Sequence, residues 1–172
     1  MINKISFILL ILLVFNSCKK EENKQDFKSI TSVSSFTYNE LKPLLNKIDN
    51  KTYVINFWAT WCAPCVKELP AFEKLKEQYA EMNVEVLLVS LDFPKQKEKK
   101  LIPFINRKKI QSKVVLLDDV NEDYWIKEIN DQWSGAIPAN LIYNANSRKF
   151  YEQSFDYTTL ENELKTFLNP SL

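Results

Sequence analysis

Apolar residues in this chain fall into two patterns, short continuous runs and helical spacings. The continuous runs are bounded by polar residues and predict buried strands at residues 53–58, 84–91, 113–117, 137–143 and 149–155. Apolar residues three and four positions apart predict helices at residues 37–48, 62–80, 96–109, 121–129 and 158–168. Strands that alternate with helices imply parallel pairing, and the last two strands form a hairpin. The pattern therefore predicts an α/β fold with a mixed central β-sheet flanked by helices.

Capping residues indicate where two of these helices begin. Thr37 with Glu40, and Thr158 with Glu161, have the spacing of a capping box, in which each residue binds a free backbone N–H of the first helical turn. Pro70 lies inside the second helix and is expected to kink it.

The first 35 residues follow a different pattern. After Lys4, residues 5–15 are almost continuously apolar, which is too short to span a bilayer and typical of a signal peptide. This run ends at Ser17-Cys18, which resembles the lipobox of bacterial lipoproteins, where the cysteine carries lipid; a plain signal peptide is the alternative. The predicted regions are a signal peptide at 1–17, a lipidated N-terminus and flexible tether at 18–35, and a folded domain at 36–172.

The composition of the chain excludes several classes of function. The chain has 172 residues and a net charge of +1, which suits one domain and gives no electrostatic reason to expect a nucleic-acid partner. It contains no histidine, so histidine-based triads and ordinary zinc or copper hydrolase sites are excluded, and no metal is expected. The charged run at residues 95–100 is interpreted as the solvated face of a helix rather than a docking site for an acidic partner.

Three cysteines remain as candidates for chemistry. If Cys18 carries lipid, Cys62 and Cys65 form a pair. Cys62 begins a predicted helix, where unpaired N–H groups and the helix dipole favour the thiolate and lower the thiol pKa from about 8.5 toward neutrality. Cys65 follows one turn later, and Pro64 suits the first turn. A zinc site would need two more ligands, and a purely structural disulfide that closes so small a loop would stabilise the fold little. The pair is therefore interpreted as redox-active.

The segment around these cysteines resembles the active site of the thioredoxin superfamily, and more narrowly that of the TlpA/ResA-like membrane-anchored reductases. Their Trp-Cys-x-Pro-Cys-x-x-Glu-x-Pro pattern is matched by Trp61, Cys62, Pro64, Cys65, Glu68 and Pro70. The resemblance spans roughly residues 36–168 and implies a thioredoxin-like fold with an N-terminal extension.

The resemblance also implies roles for particular residues. Cys62 and Cys65 would be catalytic, and Glu68 would tune Cys65 and carry its proton, although without the family pattern Glu68 is equally well a surface carboxylate. Asn56 occupies the place of a buried aspartate in thioredoxins and cannot ionise, which leaves the proton to Glu68 or to water. The expected substrate-binding residues are Trp61, Pro64, Ile137 and Pro138.

Pro138 is the candidate for the cis-proline that the superfamily places opposite the disulfide. The family often has threonine after this proline, and this chain has Ala139, which leaves its fine substrate preference open.

The predicted function is thiol–disulfide exchange, most simply the reduction of disulfides in envelope proteins, with the Cys62–Cys65 disulfide in place of a separate cofactor. The expected partners are a disulfide-containing client protein, an envelope thiol donor and, through lipid on Cys18, the membrane. Alternatives are a disulfide oxidase or isomerase and a redox-inert binding lipoprotein. Peroxidase activity is disfavoured, because peroxiredoxins place threonine three residues before the reactive cysteine and this chain has Ala59 there.

The expected location is the bacterial cell envelope, at the outer membrane facing the periplasm. Lys20-Glu21-Glu22 also resembles a surface-export signal of some lipoproteins, so exposure on the cell surface is an alternative; a solvated tether explains these residues equally well.

Overall fold

The structure, a computed structural model, describes residue 27 and residues 29–168. The predicted signal peptide and Cys18 lie outside these residues. Within the described part of the chain, no helix is both long enough and apolar enough to cross a membrane.

In the described part of the chain, six strands form one mixed sheet. They are β1 (Ser34–Phe36), β2 (Thr52–Trp58), β3 (Val84–Ser90), β4 (Lys113–Leu117), β5 (Ala139–Tyr143) and β6 (Arg148–Tyr151). Their order across the sheet is β1-β4-β3-β2-β5-β6. The first four strands of this order are parallel, whereas β5 is antiparallel to both β2 and β6. The predicted mixed sheet with a terminal hairpin is therefore confirmed.

Among the residues that the structure describes, five α-helices cover both faces of the sheet. They are α1 (Tyr38–Leu41), α2 (Ala63–Gln78), α3 (Ile102–Lys108), α4 (Glu122–Ile129) and α5 (Tyr157–Leu168). The apolar residues of α2, α3 and α5 are buried in one core, and those of α1 and α4 in a second core across the sheet. The predicted capping box of α1 is present: the Thr37 N–H donates to Glu40 Oε2 at 2.8 Å. Pro70 lies inside α2, as predicted.

The helix predicted at residues 96–109 is less regular than the apolar spacing indicated. A 3-10 turn (Pro94–Gln96) and a π turn (Lys97–Leu101) precede α3, so the first part of this segment is wound differently from an α-helix. Leu101 is nevertheless buried, so the apolar side of the π turn still faces the core.

The ordered chain begins before residue 36, the start predicted for the folded domain. β1 pairs with β4 from Ser34 onward, and Val33 is buried. Further upstream, Ile30 exchanges two hydrogen bonds of 2.9 Å with the side chain of Asn106. A three-residue, mostly polar edge strand has no apolar alternation, which is why the sequence pattern indicated a tether as far as residue 35.

The start of α5 differs from the prediction. Asp156, rather than Thr158, caps this helix, because Asp156 Oδ1 accepts a hydrogen bond from the Thr159 N–H at 2.8 Å. Glu161 does not reach back to the cap and instead accepts a hydrogen bond from the Tyr79 hydroxyl at 3.0 Å. The predicted capping box at this helix is wrong, since an aspartate two residues earlier supplies the acceptor.

Candidate active site

The cysteine pair lies where the central strand β2 passes into α2. All seven residues of β2 are buried, and the strand is held between β3 and β5. Cys62 is the N-cap of α2, and its Sγ accepts a hydrogen bond from the Cys65 N–H at 3.3 Å. The two cysteines are joined by a disulfide, with Cα atoms 5.3 Å apart. The predicted placement of Cys62 at a helix start, one turn before Cys65, is confirmed.

The two sulfur-bearing residues differ in exposure. Cys62 is 6% exposed, whereas Cys65 is 0% exposed. Trp61, next to Cys62, is 57% exposed, while Trp58 is fully buried and packs on Phe104 with ring centroids 5.5 Å apart. An incoming sulfur can therefore reach this pair only at Cys62.

The loop before β5 closes over Cys62. The Ile137–Pro138 peptide bond is cis, as the resemblance implied, and the Ile137 carbonyl oxygen lies 3.7 Å from Cys62 Sγ. Gly135, the one glycine of the chain, has a positive φ of 91°, and a Cβ there would lie 3.0 Å from Ile126 Cδ1. Only glycine allows this turn without strain or a shift of Ile126, so the glycine helps to set the path of the loop.

The expected substrate-binding residues surround the disulfide. Trp61 and Pro64 are exposed, one on each side of Cys62 along the chain, and Ile137 and Pro138 are half-buried in the loop before β5. The structure brings all four to one end of the sheet, and their contact with a substrate stays a prediction.

A buried polar cluster, formed by Glu68, Asn56 and Asn140, lies in the core on the cysteine side of β2. Glu68 is 4% exposed and lies one helical turn after Cys65 on α2. Asn56 Nδ2 donates to Glu68 Oε1 at 2.7 Å and to Asn140 Oδ1 at 2.9 Å. The Phe155 N–H donates to Glu68 Oε2 at 2.8 Å. Glu68 is thus a buried acid that accepts hydrogen bonds from Asn56 and Phe155, not a surface carboxylate.

Burial changes the acid strength of Glu68. Loss of water raises the pKa of Glu68 from 4.5 to about 7, and the hydrogen bonds from Phe155 and Asn56 limit that rise. Glu68 can therefore take up and release a proton near neutral pH, one helical turn from Cys65. Because the chain has no histidine, no imidazole competes for this role.

Asn140 is a site residue that the sequence analysis missed. It lies directly across from Asn56 in the antiparallel register of β2 and β5, and its Nδ2 donates to the Gln153 carbonyl at 2.8 Å. The available signal was an amide inside an otherwise apolar strand. Asn56 Oδ1 is buried and has no hydrogen-bond partner among the described residues, so this amide is satisfied on one side only.

Asp92 is a second residue that the sequence analysis missed. Its carboxylate is 2% exposed and accepts hydrogen bonds from the Thr60 N–H at 3.0 Å and the Thr60 hydroxyl at 2.5 Å. Ser90 Oγ donates to the same carboxylate at 2.8 Å, and the Leu91 N–H donates to the Trp58 carbonyl at 2.7 Å. These bonds join the loop that carries Cys62 to the loop that follows β3.

The described residues contain no group of three or more histidine, cysteine, aspartate or glutamate side chains arranged to hold a metal ion.

A cysteine pair at a helix start, with a cis-proline against the first cysteine and a mixed sheet of this order, defines a dithiol protein of the thioredoxin fold. The chain belongs to the AhpC/TSA family, which matches its residues 33–148. The predicted relationship and fold class are thereby confirmed.

Individual relatives agree with this assignment. Thioredoxin-like protein YneN of Bacillus subtilis is 32% identical over 126 residues, which is 68% of this chain and 74% of YneN. The thiol-disulfide oxidoreductase ResA of Bacillus cereus is 29% identical over 100 residues, and the alignment spans 52% of this chain but only 58% of ResA. A thiol:disulfide interchange protein from Chlorobium tepidum shares the fold, with a TM-score of 0.59 at 17% identity over 81% of this chain and 93% of that structure.

Proposed function

We propose that this protein is a thiol–disulfide oxidoreductase that reduces disulfides of envelope proteins through Cys62 and Cys65. The observation that carries the proposal is the asymmetry of the pair: Cys62 caps α2 at the surface end of the loop, and Cys65 lies fully buried one turn behind it. The names of YneN and ResA support the same class of activity.

The exchange proceeds in two displacements. The Cys62 thiolate attacks one sulfur of the client disulfide, forming a mixed disulfide and releasing the other client sulfur as a thiolate, which takes up a proton. Cys65 then loses its proton and attacks Cys62 Sγ, which closes the Cys62–Cys65 disulfide and releases the second client thiol. Two electrons pass to the client, and a thiol donor of the envelope must reduce the pair again.

Glu68 supplies the proton acceptor for the second displacement. Cys65 is buried, so bulk water does not reach its thiol, and Glu68 lies one helical turn away with a pKa of about 7. An acid of this strength accepts the Cys65 proton near neutral pH and gives it up when the pair is reduced again.

The loop before β5 positions the client. The half-buried Ile137 and Pro138 lie against Cys62, and an extended client segment can pair with the backbone of this loop as an added strand. Trp61 and Pro64 are exposed next to Cys62 in the chain and can contact the same client.

The direction of transfer depends on the reduction potential of the pair. Potentials of such pairs run from about −270 mV in thioredoxin to about −120 mV in strong oxidants. A value near the reducing end, measured by equilibration with dithiothreitol, supports the reductase, whereas a value near the oxidising end would favour the oxidase or isomerase.

We also propose that Cys18 carries lipid and holds the protein in the cell envelope. The support is the apolar run followed by Ser17-Cys18, together with a cysteine count that leaves Cys62 and Cys65 as a pair. A Cys18→Ala variant should lose both incorporation of labelled fatty acid and membrane fractionation; retention of both would refute the anchor.

The main test of the proposed function is a trapping experiment in cells. A Cys65→Ser variant should accumulate mixed disulfides through Cys62, because the residue that resolves them is gone. The matched control, Cys62→Ser, leaves only the buried Cys65 of the pair, with Cys18 blocked by lipid, and should trap nothing. If the Cys65→Ser variant traps no protein and the wild type reduces no disulfide in solution, the protein is a redox-inert binding module.

A further inference from the structure

Two aromatic side chains are exposed beside the disulfide. Trp61 is 57% exposed and Phe93 is 61% exposed. Trp61 precedes Cys62 directly, and Phe93 follows Asp92, whose carboxylate binds Thr60. The two aromatic residues therefore lie on two loops that are bonded to each other at the end of the sheet that carries the disulfide. Exposed aromatic side chains in such a position are typical of surfaces that bind a partner.

The chain becomes strongly basic directly after Phe93. Residues 94–109 contain seven lysine or arginine residues and a single acid, Glu98, although the whole chain has a net charge of only +1. The apolar residues of this segment, such as Leu101 and Phe104, are buried in the core, so its charged residues face solvent. Within residues 29–168, no ion pair engages the exposed lysines Lys95, Lys99 and Lys100.

We propose that Trp61, Phe93, Lys95, Lys99 and Lys100 form a docking surface for client polypeptides, in place of the solvated face that the charged run at residues 95–100 indicated from the sequence. The proposal rests on the proposed function and names its substrate class: client disulfides flanked by an apolar side chain and by acidic residues. The aromatic side chains would anchor the apolar residue, and the lysines would attract the acidic residues and raise the rate of encounter.

The position of the aromatic residues favours a polypeptide over a membrane as the occupant. An anionic lipid surface would also attract the lysines. However, a client must reach Cys62 in every turnover, and hydrogen bonds to Thr60 tie the loop before Phe93 to the loop that carries Cys62. Asp92, which precedes Phe93, is buried, and its carboxylate accepts hydrogen bonds from Ser90 and Thr60, so it is not exposed to direct contact with a client.

The test compares two peptides that share one disulfide ring and one phenylalanine but are flanked by glutamate or by lysine. Wild-type protein should reduce the glutamate-flanked peptide with a kcat/KM about tenfold higher at low salt, and high salt should reduce this preference. Lys99→Glu with Lys100→Glu should abolish or reverse the preference. The matched control, Lys113→Glu with Lys127→Glu, changes two exposed lysines elsewhere and should keep it.

The aromatic part of the docking surface is tested separately. Phe93→Ser should raise the KM for both peptides about fivefold, because the anchor for their shared phenylalanine is lost. Val120→Ser, at a residue that is 97% exposed in the loop after β4, is the matched control and should leave the KM unchanged.

A small neutral disulfide, bis(2-hydroxyethyl) disulfide, separates docking from chemistry. All variants should reduce it at the wild-type rate; if a docking variant loses this rate in parallel with the peptide rate, its effect is structural and the docking surface is refuted. Equal wild-type rates for both peptides would also refute it, while a wild type that cannot reduce the small disulfide refutes the proposed function itself. Binding to phosphatidylglycerol vesicles that needs Lys99 and Lys100, with no peptide preference, would assign the surface to a membrane instead.

Discussion

The buried polar cluster and the docking surface depart from the usual distribution of side chains in opposite directions. In the cluster, Glu68, Asn56 and Asn140 are polar and withdrawn from water; on the docking surface, Trp61 and Phe93 are apolar and exposed to it. Both arrangements carry a cost for folding, since a buried polar group is unfavourable unless its hydrogen bonds are made, and exposed aromatic rings gain no burial energy.

The two regions are proposed to serve different steps at one site, proton transfer and client binding. The cluster lies one helical turn behind Cys65, where we propose that Glu68 carries the proton of the buried thiol. The docking surface lies beside Cys62, where we propose that it binds the client polypeptide. The two should therefore respond differently to substitution: changes in the cluster should alter stability and pH dependence, and changes on the docking surface should alter substrate use alone.

Within the two regions, the largest expected effect on stability comes from removing the central amide of the cluster. Asn56→Leu takes away the donor to both Glu68 Oε1 and Asn140 Oδ1, which leaves two buried acceptors unpaired. We expect the free energy of unfolding at pH 8 to fall by about 3 kcal/mol, measured by urea denaturation. Asn162→Leu, on the exposed side of α5, is the control and should change it by less than about 0.5 kcal/mol. Equal losses in the two variants would show that the amide bonds do not stabilise the fold.

A smaller effect should appear as a pH dependence. The pKa of Glu68 is raised from 4.5 to about 7 in the folded protein, so the folded state holds this proton more tightly than the unfolded state. The stabilisation is complete below about pH 4.5 and is lost as the pH rises through about 7. Between about pH 5.5 and about pH 8 the oxidised wild type should lose about 2 kcal/mol of unfolding free energy.

Glu68→Gln, which resembles the protonated acid, should remove this pH dependence. The chain has no histidine, so few other groups titrate in this range, and urea denaturation at a series of pH values measures the effect. If the free energy of unfolding changed with pH in the same way in the variant and the wild type, Glu68 would not be the group that titrates in this pH range.

The smallest effect on stability should come from the docking surface. Trp61→Ala should change the free energy of unfolding by less than about 0.5 kcal/mol, because the side chain is largely exposed, yet lower kcat/KM for a peptide disulfide about tenfold. Trp58→Ala is the contrasting variant, since this tryptophan is fully buried and its loss should lower the free energy of unfolding by about 3 to 5 kcal/mol. A large loss of stability in Trp61→Ala would remove the distinction between the two regions.

Most of the fold was predictable because strands such as Thr52–Trp58 are continuous apolar runs and the longer helices have regular apolar spacing. The cysteines and Glu68 belong to a motif whose spacing is visible along the chain, and Pro138 was expected from the resemblance to the superfamily. Asn140 and Asp92 were not predictable in the same way. Their partners, Asn56 and Thr60, are distant in sequence, and only the strand register and the path of the loops bring them together.

The cap of α5 and the turns before α3 could not be predicted for a different reason. The cap of α5 was assigned to Thr158, because two acceptor residues near a helix start compete and only the backbone path decides between them. The turns between Pro94 and Leu101 keep the apolar residues on one side, so their spacing resembles that of an α-helix although the winding differs.

The pairing of β1 with β4 has a consequence for self-association. β4 would be an edge of the sheet without the three residues Ser34–Phe36, and an uncovered edge offers free N–H and C=O groups to any other extended chain. A chain shortened to begin at Thr37 should therefore form oligomers in size-exclusion chromatography, whereas the longer chain should not. We expect the short strand β1, held in place by Val33 and by the bonds between Ile30 and Asn106, to limit self-association, because a three-residue edge offers fewer free groups than β4 would.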